Sequence, residues 1–175
     1  MRAPRTRWGT GGIIVVALVV FAAVAFLSYG GLGTGGTPRQ QLSQWVTSTS
    51  FGATVGTLHD DDRHIATTVA ANPSAGVLHT VCAVLTDDAG SANDQLPTPD
   101  TSLTQVLAHA YALEYSAGND CYAAAGGNRR LLSASARLRA RAESLLDQAL
   151  ATVRRTTGLT VSTTTTTQPG GGGIF

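Results

Sequence analysis

Between Phe51 and Val153 the apolar residues recur at three- and four-residue intervals, the period of one helical face. Phe51, Val55, Leu58, Asp62, Ile65 and Val69 form the first stripe, and Asn72-Pro73 ends it. Trp45 and Val46 suggest an earlier turn or a separate short helix from Gln40. Ser74 can cap a second helix with Leu78, Val81, Cys82, Leu85, Ala89 and Ala92 on one side. After the turn "QLPTPD", Asp100 or Thr101 can cap a third, with Leu103, Val106, Leu107, Ala110, Leu113 or Glu114, Ala117 and Cys121 in phase. Gly126-Gly127 breaks the chain. Asn128 then caps a fourth helix, carrying Leu131, Leu138, Ala142, Leu145, Ala149 and Val153. No segment of this region alternates apolar and polar residues as a half-buried strand does, so the expected class is all-α, a four-helix-type bundle.

A different pattern precedes it. Residues 13–27 are an unbroken apolar run, extended by Gly11, Gly12, Ser28 and Tyr29, and no charge lies between Arg7 and Arg39. A transmembrane signal anchor is favoured over a cleaved signal peptide, for which Ala23-Val24-Ala25 and Ser28-Tyr29-Gly30 are the candidate cleavage sites. Trp8 and Tyr29 sit at the two ends of the span, and Arg2, Arg5 and Arg7 keep the N-terminus cytoplasmic. The expected partner of residues 11–29 is therefore the lipid bilayer, with the rest of the chain outside the cell membrane, or secreted if the signal is cleaved. Four segments follow from these patterns: a basic tip and anchor over 1–30, a Gly-rich tether over 31–38, the bundle over 39–157, and a Thr/Gly-rich disordered tail over 158–175.

Composition adds the compartment. Cys82 and Cys121 are the two cysteines, and an even count in an exported chain reads as one disulfide. On the chain-entropy model, closing a loop of this length stabilises the fold by roughly 4 kcal/mol. Both cysteines fall on apolar stripes, as a staple between helices requires. A plain hairpin would leave them about 13 Å out of step at 1.5 Å per residue. Either the "NDQLPTPD" connection runs back along the bundle, or the third helix breaks near Gly118-Asn119 and puts Cys121 on a loop.

Charge is sorted along the chain. Residues 38–127 hold nine carboxylates against Arg39 and Arg63, whereas residues 128–157 hold seven arginines against Glu143 and Asp147. The basic helix has no interleaved aromatic residues and faces an acidic remainder, so charge complementarity within the domain is expected and nucleic-acid binding is not.

The order "VCAVLTDDAGSAND", "LPTPD", "AHAYALEYSAGNDC" and "LLDQALATV" resembles a broad group of exported or membrane-anchored actinobacterial helical-bundle proteins, mostly uncharacterised. The resemblance spans about residues 51–155 and implies a helical bundle with a disulfide. It brings no catalytic residues and no cofactor.

Candidate chemistry is sparse. "HDDDRH" is the densest polar cluster, and His59, Asp60 and His64 are the candidate ligands for a divalent metal, although no H-E-x-x-H accompanies them. A solvated face pairing Asp60 with His64 and His59 with Arg63 is the simpler reading. Asp62 occupies the core phase between Leu58 and Ile65, and a buried carboxylate requires a partner. Arg137, Arg141, Tyr111, Tyr115 and His109 are the candidates, the alternative being that Asp62 points to water. His79 and His109 flank apolar positions. No nucleophile elbow, phosphate loop or dinucleotide fingerprint is present, so no enzymatic activity is expected. The Thr-rich tail could carry O-glycans, and the terminal Gly-Ile-Phe suits capture by a PDZ-type groove. These features lead to the expectation of a non-catalytic module that binds an unknown envelope protein or polymer. The alternative is a small-ligand or divalent-metal-binding exported protein using His59, Asp60, Asp62 and His64.

Overall fold

The computed structural model describes residues 36–163. The anchor, most of the tether and most of the tail lie outside the described residues. Among the described residues, no helix is long and apolar enough to cross a membrane.

Five α-helices and no strands make up the described region: α1 (Pro38–Ser48), α2 (Phe51–Ala70), α3 (Ala75–Asn93), α4 (Thr101–Ala123) and α5 (Arg129–Thr157), with a short 3-10 turn at Ala124–Gly126. Each start has a local cause. The Thr37 hydroxyl accepts from the Gln40 amide while the Gln40 side chain accepts from the Thr37 amide, and Pro38 occupies the first turn. Ser74, Asp100 and Asn128 cap α3, α4 and α5 through their side chains. At the far end of α5, Gly158 takes the left-handed conformation with φ of 76°. The Arg39 guanidinium donates to the Thr157 carbonyl at 2.7 and 3.1 Å, satisfying an end-of-helix acceptor and tying α1 to α5.

The core is built from the predicted stripes. Phe51, Val55, Leu58 and Ile65 of α2 meet Leu78, Cys82, Leu85 and Ala89 of α3 and Leu103, Leu107, Ala110 and Ala117 of α4. The buried face of α5 comprises Ser135, Ala142, Leu146, Ala149, Val153 and Thr157, so Leu146 replaces the expected Leu145, which packs at the edge. The helix α4 is central, packing most extensively against α5 and α3, while α2 and α5 meet more sparingly.

Cys82 and Cys121 are joined by a disulfide, with Cα atoms 5.7 Å apart. The helix α4 is continuous through Gly118 and Cys121, so the offset is taken up by residues 94–100, whose Thr98 amide donates to the Thr104 hydroxyl in the first turn of α4. The first turns of α4 project past the end of α3, and residues 94–100 run on beside them. Alpha-1 fills the space left beyond α3: Trp45 Nε1 donates to the Gln95 carbonyl at 3.2 Å, and the Trp45 and Phe51 rings pack 5.3 Å apart.

Two segment boundaries differ from expectation. Thr37 and Pro38, placed at the end of the tether, open α1. Residues 158–163, placed in the disordered tail, include Val161 packed against the core. Gly52 makes room for this segment, since a Cβ there would come within 2.5 Å of Val161 and of the Ser162 carbonyl.

Candidate functional site

A helix turns 100° per residue, so two adjacent side chains at the edge of its buried face address different neighbours. Asp61 and Asp62 do this at the middle of α2. Asp61 lies on the side toward α3, where the charge of Asp88 acts on it. Asp62 turns the other way, toward Arg139 on α5 and Glu114 on α4.

The Asp62–Arg139 ion pair spans 3.6 Å, and the two side chains are only 13% and 12% exposed. Arg139 Nη1 also donates to the Asp62 main-chain carbonyl at 2.9 Å. Beneath them Glu114 is 0% exposed, one helical turn from the equally buried Tyr111. Neither Glu114 oxygen, nor the Tyr111 hydroxyl, nor Arg139 Nε has a hydrogen-bond partner among the described residues. Glu114 and Asp62 nevertheless lie close enough that each alters the other's titration.

Burial dominates the electrostatics. It pushes the Glu114 carboxyl up to about 9, with the negative charge of Asp62 adding to the rise and Arg139 opposing it. Asp62 is pushed up to about 6 by burial, while Arg139 holds it down and Glu143 pushes it upward. Asp61 is raised to about 7 by burial, then by the neighbouring Asp88 carboxyl and the negative charges of Asp62 and Asp60. Burial also raises the Tyr111 phenol above its ordinary value. At neutral pH, Glu114 is therefore a neutral acid, Asp61 is near its midpoint and Asp62 is mostly ionised.

The predicted metal ligands do not assemble. His59 is half-buried, with Nε2 enclosed and without a hydrogen-bond partner among the described residues. Asp60 forms an ion pair with Arg63 one turn away, and His64 is exposed. Among the described residues, no group of three or more His, Cys, Asp or Glu side chains converges to hold a metal ion. His109 is exposed, and His79 stacks on Tyr122 with ring centroids 4.1 Å apart.

Asp62 lies at the buried edge of α2, but its basic partner is Arg139. Arg137 and Arg141 are exposed, because they stand about 160° and about 120° around α5 from its buried stripe whereas Arg139 is closer in phase to Ser135 and Ala142. Sequence reasoning also missed Glu114, Asp61 and Asp88 as partners. The available signal was Glu114 itself, which continues the sequence Leu103, Leu107, Ala110, Ala117, Cys121 without a break in phase.

A second surface feature lies on the α3–α4 face. Tyr115 and Tyr122, two turns apart on α4, are 50% and 47% exposed. An open groove of about 420 Å³ runs beside Tyr115, lined by Ala89, Gly90, Asn93, Tyr111, Tyr115 and Ser116 among others.

Comparison with family models, with curated proteins and with solved structures gave no match.

Proposed function

We propose that the chain is a single-pass membrane protein, with its N-terminus cytoplasmic and its helical bundle outside the cell membrane, working as a non-catalytic interaction module for an envelope protein or polymer. The apolar run at 13–27, the arginines before it and the single disulfide support the address. The observation that carries the interaction reading is the aromatic ridge of Tyr115 and Tyr122 beside an open groove, with His79 stacked on the second ring. Large aromatic side chains left half in water at helical spacing are the residue type enriched at recognition surfaces. The metal-binding alternative has weaker support, because His59 is turned inward while His64 is exposed.

Photocrosslinking in intact cells tests this reading. A photoreactive side chain at Tyr115 is expected to give a discrete adduct, whereas one at the exposed Gln148 of α5 gives none. Digestion of the adduct with protease or with glycan hydrolases separates a protein partner from a polymer. Equal adduct yields at the two positions would count against the α3–α4 face. Resistance of the full-length chain to alkaline extraction, together with cleavage of its bundle by protease added outside the cell, is the expected result for the anchor.

A further inference from the structure

The arginines of α5 are sorted around the helix as well as along it. At 100° per residue, Arg130, Arg137, Arg141 and Arg155 fall within about 40° of one another and form one stripe about 38 Å long at 1.5 Å per residue. All four are exposed, and none forms an ion pair with another described residue. Arg155 donates only to the neutral Thr152 hydroxyl, at 3.2 Å. The acids of the helix, Glu143 and Asp147, stand about 100–140° away on the opposite flank, together with Arg129 and Arg154. Pairing inside the bundle therefore uses Arg139 and leaves the stripe uncompensated. We propose that this stripe is a docking surface for anionic phospholipid headgroups, which lays the bundle along the membrane surface; the proposal rests on the membrane-anchored reading above.

Charge selects a polyanion. Guanidinium groups present planar donors that match phosphate oxygens. The other charges of the domain orient the contact: Asp87 and Asp88 belong to α3, and α4 packs between α3 and α5. A negative surface therefore attracts one side of the bundle and repels the other. No aromatic residue stands on α5 to receive a stacked base, which disfavours a single-stranded nucleic acid.

Chain length selects lipid. The apolar run leads to α1 through the Gly-rich residues 31–37, which span at most about 25 Å when fully extended. Arg39, in the first turn of α1, holds the Thr157 carbonyl at the end of α5, so Arg155 lies at the end of the bundle where the chain enters. With residues 13–27 in the bilayer, headgroups of the same membrane are kept at high effective concentration near the stripe. Their attraction acts over about 8 Å at physiological salt. Gln148 stands between Arg141 and Arg155 on the same side of α5, where contact with lipid agrees with the expected lack of a protein or polymer adduct.

Binding of the full chain, held in phosphatidylcholine nanodiscs, to separate vesicles tests the surface. Vesicles with one phosphatidylglycerol for every three phosphatidylcholines are expected to bind at least tenfold tighter than vesicles of phosphatidylcholine alone, and added salt is expected to remove the difference. Arg137→Gln/Arg141→Gln should lose at least fivefold of that affinity. Arg129→Gln/Arg154→Gln, an equal change in net charge on the opposite flank, should lose less than twofold. Equal losses in the two variants would overturn the proposal, because net charge alone would then account for binding. Equal binding of the two kinds of vesicle would also overturn it. Tighter binding of soluble polyphosphate than of the anionic vesicles would do the same by assigning the stripe to a wall polyanion. The anchor is read separately, as retention of the chain in the discs under alkaline wash. Loss there defeats the single-pass reading alone, and the released chain and its variants then meet the same vesicles in solution.

Discussion

The seam between α3 and α4 and the seam between α2 and α5 belong to one small bundle, yet they are held by opposite means. The first is closed by small residues and a covalent bond. Gly118 faces the backbone of α3, where an added Cβ would stand 3.0 Å from the Cys82 carbonyl and 3.1 Å from the Thr86 amide. Cys82 and Cys121 then fix the register. The second seam places Asp62, Arg139 and Glu114 where apolar side chains would otherwise meet. Close packing of small residues is insensitive to pH. A buried acid cluster trades strength for sensitivity, because its stability depends on how many protons it retains.

The contrast can be broken from either side. The largest effect is expected from Cys82→Ser with Cys121→Ser, which should cost about 4 kcal/mol in urea unfolding by removing a constraint on the unfolded chain. That loss should be nearly the same at pH 5.5 and pH 8.5. Arg139→Met comes next. It strands Asp62 as an unpaired partly buried acid, so a loss of about 3 kcal/mol is expected at pH 8.5. At pH 5 the same substitution should cost less, since Asp62 is then largely neutral. Equal losses at the two pH values would show that Arg139 acts through packing alone.

The pH dependence of the unmodified protein follows with a definite sign. Asp61, Asp62 and Glu114 all titrate above their unfolded values, at about 7, 6 and 9. The folded state thus binds more protons from about pH 4 upward, and stability falls as pH rises through these three values. The slope approaches about 1.4 kcal/mol per pH unit for each proton by which the two states differ. Thermal melting between pH 5 and pH 9 measures it, and a midpoint that rises with pH would reverse the assignment. Smaller again is Gly118→Ala, expected to cost about 2 kcal/mol through overpacking of the α3–α4 seam and independently of pH. At the bottom of the scale, Asp60→Ala should change stability by less than about 0.5 kcal/mol, because its ion pair with Arg63 is exposed to solvent.

Much of this fold was legible along the chain. Phe51, Val55, Leu58 and Ile65 are buried as the period requires, Ser74 and Asn128 cap the helices they precede, and the two cysteines are bonded. The cluster was legible only in part. Asp62 betrayed itself by standing in the apolar phase of α2, but its partners could not be read from the same signal. A helix drawn one residue out of phase rotates by 100°, enough to exchange Leu145 for Leu146 and to hide Arg139 between Arg137 and Arg141. Glu114 was visible as an acid in phase with Ala110 and Ala117, yet a stripe drawn through Leu113 fitted nearly as well.

What the sequence determined by itself is local and periodic: the helical class, the helix starts, the two bonded positions and the apolar run before the bundle. The helical class, the helix starts and the apolar run depend on residues a few positions apart, which share one backbone segment whatever the rest of the chain does; the bonded pair was legible because the chain has only two cysteines. The tertiary structure decided which helix faces which. It set residues 94–100 beside the first turn of α4, placed α1 in the space beyond α3, and brought Arg139 of α5 against Asp62 of α2. Contacts between residues so far apart in sequence depend on chain reversal and packing angle, neither of which leaves a periodic mark on the chain.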